Sequence, residues 1–268
     1  MIAFPPAKIN LGLSVISKRP DGYHNLETIF YPLPFYDVLE IVPSSDLKFL
    51  PSGLTIPGLP SDNLVLRTYH LLRQIYPQIG PLEIHLYKSI PMGAGLGGGS
   101  SDAATLLKMI NHLFDLKISE EEMKTQALKI GSDCPFFLKP LPCLASGRGE
   151  ILEPLALDLS GYSLLLVHPE LHMDTTSAFL RIHPEMPDRP LKERILLPLS
   201  EWKDSIHNAF EKPVFEDYPN LKKIKEKMYE SGALYASMTG SGSTIYGIFN
   251  KSDRPKIQFE KTTQTYIR

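Results

Sequence analysis

Alternating hydrophobic and polar residues predict strands in several parts of the chain. Near the N-terminus, KINLGLSVI (residues 8–16) puts an apolar residue at every second position from Ile9 to Val15, which is the pattern of a half-buried strand. Shorter apolar or alternating runs predict further strands at DVLEIVP, LKFLP, LEIHLYK, SLLLVHP, LYASM and TIYGIF.

Other segments follow the period of an α-helix. The strongest apolar stripe runs from Ala103 to Phe114. SDNLVLRTYHLLRQIY opens with capping residues and then takes up helical spacing, and NLKKIKEKMYESG predicts an amphipathic helix that stops at Gly232. SEEEM (residues 119–123) is a capping box that predicts a helix through about Ile130.

Strands and helices are mixed in both halves, which favours an α/β or α+β fold in two parts. Proline and glycine accumulate at residues 139–161, before the run SLLLVHP. We therefore expect a boundary near residue 155, with domains at residues 1–155 and 156–268.

Composition and charge restrict the classes of partner. The chain has 268 residues, 43% hydrophobic and 22% charged, and a net charge of −2, which predicts a soluble protein without general attraction to nucleic acid or anionic membranes. Two cysteines, Cys134 and Cys143, argue against a disulfide framework. Neither a signal-like N-terminus nor an apolar run of about 18 residues is present, so we expect a cytoplasmic protein.

Candidate chemistry centres on PMGAGLGGGSSDAA, residues 91–104, which lies between a predicted strand and a predicted helix. Glycines let main-chain N–H groups turn toward a phosphate, and the helix N-terminus adds a partial positive charge. Ser100 and Ser101 can donate hydroxyl groups or ligate a metal. The alternative is a flexible loop that ends in a serine cap.

Several known phosphate motifs do not fit. No lysine follows the glycines as in a Walker A loop, and the protein-kinase motifs H-R-D and D-F-G are absent. Gly93, Gly95 and Gly98 match the dinucleotide fingerprint G-x-G-x-x-G, but the following helix leads into another helix instead of the required strand. We therefore reject a dinucleotide oxidoreductase.

Three segments together resemble the GHMP kinases of small metabolites: PAKINLGLSVISKRPDGYHNLET, PMGAGLGGGSSDAA and MTGSGSTIYGIF. SDNL, GSDCPFF and GRGEIL extend the similarity over nearly the whole chain. The resemblance implies two α/β domains with the active site in the cleft between them, the smaller one C-terminal. The DGYH stretch resembles members that use ATP and Mg²⁺ to phosphorylate the 2-hydroxyl of a cytidine-diphosphate-linked methylerythritol, in the non-mevalonate route to isoprenoid precursors.

The resemblance also implies roles for individual residues. Lys8 and Asp133 match the family's catalytic pair, with Asp133 accepting the proton of the substrate hydroxyl. Asn10 and Gly240 are expected beside the substrate, Tyr23 and His24 at the cytosine, and Phe179 stacked on the other face of that base. The residues expected at ATP are Asn63, Lys88 and Met92 around adenine, and Gly93, Gly95, Leu96, Gly97, Gly98, Gly99, Ser100 and Ser101 around the phosphates, with Ser101 as a metal ligand.

Structural explanations remain open for several of these residues. Asp133 can cap a helix, Lys8 can be solvated, DGYHN can be a polar turn, and Gly240 can belong to a tight hairpin. Another GHMP substrate such as mevalonate or homoserine, or a relative without catalysis, are the alternative functions. We expect a small-molecule substrate, neither nucleic acid nor membrane as partner, and a monomer or weak homodimer. His168 and His172 are rejected as half of a zinc site because no other ligands cluster with them.

Overall fold

The computed structural model describes residues 1–169, 171, 175–253, 257–259 and 262–267, and the side chains of residues 175–177 are outside the description. The strands are β1 Ile2–Ala3, β2 Pro6–Lys18, β3 His24–Tyr36, β4 Val38–Pro43, β5 Lys48–Gly53, β6 Leu82–Lys88, β7 Cys143–Gly147, β8 Ile151–Pro154, β9 Tyr162–Pro169, β10 Tyr235–Met238, β11 Ile245–Asn250 and β12 Thr262–Ile267. The helices are α1 Leu64–Ile75, α2 Gly98–Leu113, α3 Glu120–Ile130, α4 Cys134–Leu138, α5 Thr175–Leu180, α6 Leu191–Arg194, α7 Trp202–Ser205, α8 Glu211–Asp217 and α9 Pro219–Glu230.

The chain forms two compact units, each assembled from separate stretches. Unit 1 contains Met1–Lys8, Pro32–Met92 and Gly97–Pro140, and unit 2 contains Ile9–Tyr31, Gly93–Leu96 and Leu141–Arg268. This differs from a division at residue 155, because β7 and β8 are held in one sheet with β3 and so belong with the C-terminal stretch. As a boundary between separately stable domains, residue 155 stays a prediction.

Unit 1 is a four-stranded sheet with helices. The strand order is β1-β4-β6-β5; β4 pairs with β1 and β6 antiparallel, and β5 pairs with β6 parallel. Helix α2 contacts α1, α3, α4 and β4 and is the central helix of the unit. Its predicted apolar stripe is buried from Ala103 to Ile110, so the period of 3.6 residues identified it correctly.

Side chains satisfy the free amides at the start of two helices in this unit. Asn63 caps α1 by accepting a hydrogen bond from the N–H of Val65 at 2.9 Å. Ser119 caps α3 in the same way, accepting from the N–H of Glu122 at 3.2 Å. The Ser119 cap and the helix end at Ile130 are therefore confirmed, whereas the Glu122 carboxylate, the second half of the predicted capping box, accepts from the Tyr76 hydroxyl.

Strand β2 is buried on both faces, so the prediction of a half-buried strand is wrong. Every residue from Ala7 to Leu13 is buried, including the polar residues Lys8 and Asn10. These two side chains are separated by two positions and therefore lie on the same side of the strand, opposite the apolar stripe. Burial of polar groups is costly unless they find partners, which makes this side of β2 a place to look for function.

Two four-stranded sheets contribute strands to unit 2. One sheet has the order β10-β11-β9-β12, and the other has the order β2-β3-β7-β8. Helix α9 packs on β10 and β11 through Leu221, Ile224 and Met228, as its pattern predicts. Sequence reasoning missed the 13-residue strand β3, in which two prolines interrupt the pattern.

No helix within the described ranges is both long enough and apolar enough to cross a bilayer.

The buried side chain of Asn208 organises the end of β10. Its Nδ2 donates to the carbonyl oxygens of Met238 at 2.7 Å and Gly240 at 2.8 Å, and its Oδ1 accepts from the N–H of Phe210 at 2.9 Å. One amide thus bonds three main-chain groups, and it ties the turn that follows β10 to the segment that precedes α8.

We expect Asn208→Ala to lower the free energy of unfolding by about 3 kcal/mol, because it leaves buried main-chain groups without hydrogen bonds. Urea unfolding of the purified variant measures this change. Asn250→Ala is the matched control, since Asn250 is exposed and its side-chain amide donates to the carboxylate of Asp253. Equal losses for the two variants would contradict the role assigned to Asn208.

Candidate active site

The glycine loop ends in a close main-chain packing at the start of α2. Gly97 precedes the helix with a φ of +71°, and a Cβ there would lie 2.7 Å from the ring of Phe137 and 3.1 Å from Cγ of Lys8. Only glycine fits both the backbone conformation and the space. The first amides of α2 have no intrahelical acceptor, so the loop delivers N–H donors of the kind that bind phosphate.

A second close packing fixes the earlier part of the loop, which belongs to unit 2. Gly95 has a φ of +74°, and a Cβ there would lie 2.0 Å from the carbonyl oxygen of Thr239. Thr239 Oγ1 donates to the carbonyl of Gly95 at 2.9 Å, and the N–H of Thr244 donates to the carbonyl of Ala94 at 3.3 Å. The TGSGS turn is therefore the support against which residues 93–96 are held.

Asn10 joins the same network. Its N–H donates to Thr239 Oγ1 at 3.0 Å, and its Nδ2 donates to Thr28 Oγ1 at 2.9 Å. The Tyr246 hydroxyl donates to the carbonyl of Asn10 at 2.8 Å. Gly240 packs close by, since a Cβ there would lie 3.6 Å from Asn10 Oδ1. The structure thus brings together Asn10 and Gly240, two of the residues expected at the substrate.

Lys8 and Asp133 form an ion pair in unit 1. The Lys8 ammonium lies 3.5 Å from Oδ2 of Asp133, and the two side chains are 4% and 31% exposed. Burial lowers the pKa of Lys8, and the neighbouring carboxylate of Asp133 opposes that shift. Asp133 precedes α4, but its side chain makes no capping hydrogen bond, so its carboxylate is directed to other contacts than the helix amides.

The residues expected around adenine lie at one small pocket of unit 1. Asn63, Lys88 and Met92 line it together with Gly99, and its volume is about 100 Å³. The Asn63 side chain has a second task there, because its Oδ1 caps α1. The amide nitrogen of Asn63 is the part of that side chain left for a ligand.

Lys88 belongs to a buried triad of charges that the sequence analysis missed. Its ammonium donates to Asp102 Oδ2 at 2.8 Å and to Asp37 Oδ2, and all three side chains are almost completely buried. The N–H groups of Ser89 and Ile90 donate to Asp37 Oδ1 at 2.6 and 2.9 Å. Burial raises the pKa of Asp102 to about 7, although the Lys88 ammonium opposes it. Because the ammonium is held between two carboxylates, we expect the stem of Lys88 to make the contact with a base.

The two serines that follow the glycines have different surroundings. Ser100 is close to the thiol of Cys134, whose pKa burial raises to about 12. Ser101 is completely buried, and its Oγ has no hydrogen-bond partner among the described residues. Such an atom at a helix N-terminus fits a ligand that the protein alone does not supply. Within the described ranges, no cluster of three His, Cys, Asp or Glu side chains offers a complete metal site.

In unit 2, the residues expected at cytosine follow the turn between β2 and β3. The N–H of Tyr23 donates to Asp21 Oδ1 at 3.1 Å, and the predicted Asp-Gly turn is present. His24 stacks on Phe179, with ring centroids 5.1 Å apart and planes inclined by 17°. A base inserted between two rings needs about 3.5 Å on each of its faces, and the two rings are closer together than the sum of these distances. In this arrangement no base fits between His24 and Phe179.

Of the rejected zinc pair, His168 lies on β9 and His172 is outside the described residues.

Comparison with known proteins places these features in one family. The model of the GHMP kinases N terminal domain matches residues 63–139, and that of the GHMP kinases C terminal matches residues 195–265. The chain is 50% identical over 265 residues to the 4-diphosphocytidyl-2-C-methyl-D-erythritol kinase of Bacteroides fragilis (strain YCH46), covering 97% of this chain and 96% of that protein.

Comparison with solved structures gives the same family. A crystal structure of 4-(cytidine 5'-diphospho)-2C-methyl-D-erythritol kinase is similar with a TM-score of 0.80 at 35% identity, covering 92% of this chain and 90% of that one. The mevalonate kinase of Methanococcus jannaschii, at a TM-score of 0.70 and 13% identity over 100% of this chain and 98% of that one, shares the fold. The family expected from the three sequence segments is confirmed: the chain belongs to the GHMP kinases.

Proposed function

We propose that the chain is an ATP-dependent kinase that phosphorylates the 2-hydroxyl group of 4-diphosphocytidyl-2-C-methyl-D-erythritol in the non-mevalonate route to isoprenoid precursors. The observation that carries the proposal is the pair of Lys8 and Asp133, a buried ammonium 3.5 Å from a partly exposed carboxylate. The identity of the substrate is inferred from the curated relatives of that name, which reach 50% identity over nearly the full chain.

The pair supplies what phosphoryl transfer asks of a protein. The chemistry is mainly positioning and charge stabilisation, so few side chains need to react. Asp133 accepts the proton of the attacking hydroxyl group. The Lys8 ammonium pairs with that carboxylate and stabilises negative charge on the transferring group.

The nucleotide occupies the glycine loop and the small pocket of unit 1. Membership of this kinase family implies the use of ATP. Its phosphates accept from the free amides of α2, and its base lies against Asn63, Met92 and the stem of Lys88. Gly97, Gly98 and Gly99 provide main chain for this contact in unit 1, and contacts of Gly93, Gly95 and Leu96 with the phosphates stay an expectation.

Mg²⁺ fits the residues present through one hydroxyl group. Ser101 Oγ, buried and without a partner in the described part of the chain, would hold the ion, because Mg²⁺ takes its other ligands from phosphates and water. When bound, the ion offsets the charge that develops during phosphoryl transfer.

The cytidine end of the substrate binds in unit 2. His24 presents one donor and one acceptor to the base, since burial and then the charge of Lys18 lower its pKa and favour the neutral ring. Tyr23, 53% exposed, offers a ring face for stacking. Phe179 stacks on the second face of the base only if it separates from His24. Asn10 and Gly240 lie at the acceptor part of the substrate.

The remaining expectations are part of the same proposal. The enzyme acts in the cytoplasm on a small molecule, without nucleic acid or membrane, as a monomer or weak homodimer. A turnover assay with ATP and Mg²⁺ that compares the cytidyl substrate, mevalonate and homoserine tests the substrate directly. Preference for mevalonate or homoserine would refute the substrate while leaving the kinase family intact.

We expect Asp133→Asn to lower kcat about 100-fold or more, because the amide cannot accept the hydroxyl proton. ATP binding should stay nearly unchanged, since this residue does not bind the nucleotide. Steady-state kinetics and calorimetric titration with ATP measure the two effects. Asp115→Asn is the control, as that side chain is 82% exposed; turnover of Asp133→Asn within threefold of wild type would remove Asp133 from the role of base.

We expect His24→Ala to raise KM for the cytidyl substrate about tenfold, the equivalent of a lost hydrogen-bonding pair and ring contact, with KM for ATP unchanged. The same measurement on wild type should show weaker substrate binding as pH falls, because protonation removes the acceptor nitrogen. His183→Ala, at an exposed position, controls for the loss of an imidazole. Unchanged KM and kcat/KM in His24→Ala would eliminate the contact with cytosine.

We expect Ser101→Ala to raise the Mg²⁺ concentration that gives half-maximal turnover several-fold, since it removes the hydroxyl group proposed to hold the ion. A magnesium titration at saturating ATP measures it. Thr125→Ala removes an exposed hydroxyl from a neighbouring helix and should leave the titration unchanged. Identical magnesium dependence of Ser101→Ala and wild type would show that Ser101 is not a ligand.

A further inference from the structure

The GRGE segment, residues 147–150, has no part in the function proposed so far. It forms the tip of the hairpin between β7 and β8, where Ser146 pairs with Ile151. The N–H of Gly149 donates to the carbonyl of Ser146 at 3.0 Å, and the N–H of Arg148 donates to the Glu150 carboxylate at 2.5 Å. The tip is therefore a closed turn that holds the main chain of Arg148 in place.

The side chain of Arg148 lies on the ring of Tyr23. Its Cζ is 4.1 Å from the ring centroid, well inside the distance at which a guanidinium is attracted to an aromatic face. Its Nε is buried and has no hydrogen-bond partner among the described residues, in agreement with a guanidinium group whose contact is made through its flat face.

Tyr23 is thereby held at two points although it is 53% exposed. Its N–H donates to Asp21 Oδ1 at 3.1 Å, and Arg19 in turn donates to the Asp21 carboxylate at 2.9 Å. The hydrogen bond from Arg19 lowers the pKa of Asp21, and the charge of Arg148 contributes. An exposed tyrosine with a free ring would lose rotamer entropy on binding, whereas this ring is already restrained.

We propose that Arg148 is a positioning residue for recognition of the base. It occupies one face of Tyr23 and holds the opposite face ready to stack on the pyrimidine of a cytidine nucleotide. The inference rests on the proposed function, which supplies the cytidine nucleotide. Because Arg148 acts through Tyr23, its effect on affinity must vanish when that ring is absent, and it must not require the phosphates of the ligand.

A double-mutant cycle on the full-length enzyme tests both requirements. Equilibrium titrations with cytidine and with CDP are made on wild type, Arg148→Met, Tyr23→Leu and the double variant. We expect Arg148→Met to weaken both ligands by roughly two- to fivefold, the equivalent of an exposed cation–π contact. In the Tyr23→Leu background the same substitution should have no further effect. ATP affinity should be equal in all four proteins.

Two further variants serve as an alternative substitution of Arg148 and as a negative control. Arg148→Gln removes the charge with a polar side chain and should reproduce the effect if Arg148→Met fails to fold. Lys203→Met removes a cation 4.7 Å from the ring centroid of Tyr229, also in unit 2, and should leave both titrations unchanged.

The outcomes separate the possible errors. A loss confined to CDP, or one that persists in Tyr23→Leu, would overturn the proposal in favour of direct contact between Arg148 and phosphate. Unchanged affinities in Arg148→Met and Arg148→Gln, with normal binding by wild type, would refute this inference alone. If the wild-type enzyme neither binds CDP nor phosphorylates the cytidyl substrate, the proposed function fails and this inference fails with it.

Discussion

A lysine ammonium that is removed from water is the constraint on which the candidate site of unit 1 depends. Taking a charged group out of water costs several kcal/mol, and the Lys8 side chain is 4% exposed. It forms an ion pair with the carboxylate of Asp133, which is itself partly open to solvent. The pair is thus asymmetric: the cation is fixed by burial, while the carboxylate keeps an accessible side. That asymmetry suits a base that must meet a substrate hydroxyl next to a charge that must stay in place.

The stem of the same lysine explains one glycine of the loop. A Cβ at Gly97 would collide with the Phe137 ring and crowd Cγ of Lys8, so the start of α2 approaches that side chain only with glycine at this position. Gly95 meets the carbonyl of Thr239 in the same manner. Gly99 is different, since a Cβ there would have only an ordinary contact with Leu64. Gly95 and Gly97 are therefore required by the protein's own packing. At Gly99 the packing does not explain the glycine, and close approach of a ligand explains it better.

How far the sequence predicts this structure depends on whether the signal is local. Helices α2, α3 and α9 follow from apolar spacing and caps, since both act within a few residues. Strand β2 was expected to be half-buried because alternation reports one face only, and Lys8 and Asn10 are buried by partners far along the chain. The triad around Lys88 was missed for the same reason: Asp37 is 51 residues away, and no local pattern links the two. The contact of Arg148 with Tyr23, between two hairpins, also has no signal in either segment alone.

The five charged side chains described in unit 1 determine how strongly this site can attract the negative charge of a triphosphate. Lys8 and Lys88 are the cations described above, and Asp37, Asp102 and Asp133 are the carboxylates, so with all five ionised negative charge is in excess. The raised pKa of Asp102 relieves that excess in part, because burial, and then the neighbouring charge of Asp37, favour retention of a proton. Since the Lys88 charge is offset by the two carboxylates that it bonds, these side chains offer little net attraction for an anion beyond the Lys8 ammonium. The binding of phosphate in the proposed function must then come mainly from the main-chain amides of α2 and from a cation that accompanies the nucleotide, which is why a loop rich in glycine, and not one rich in lysine, precedes this helix.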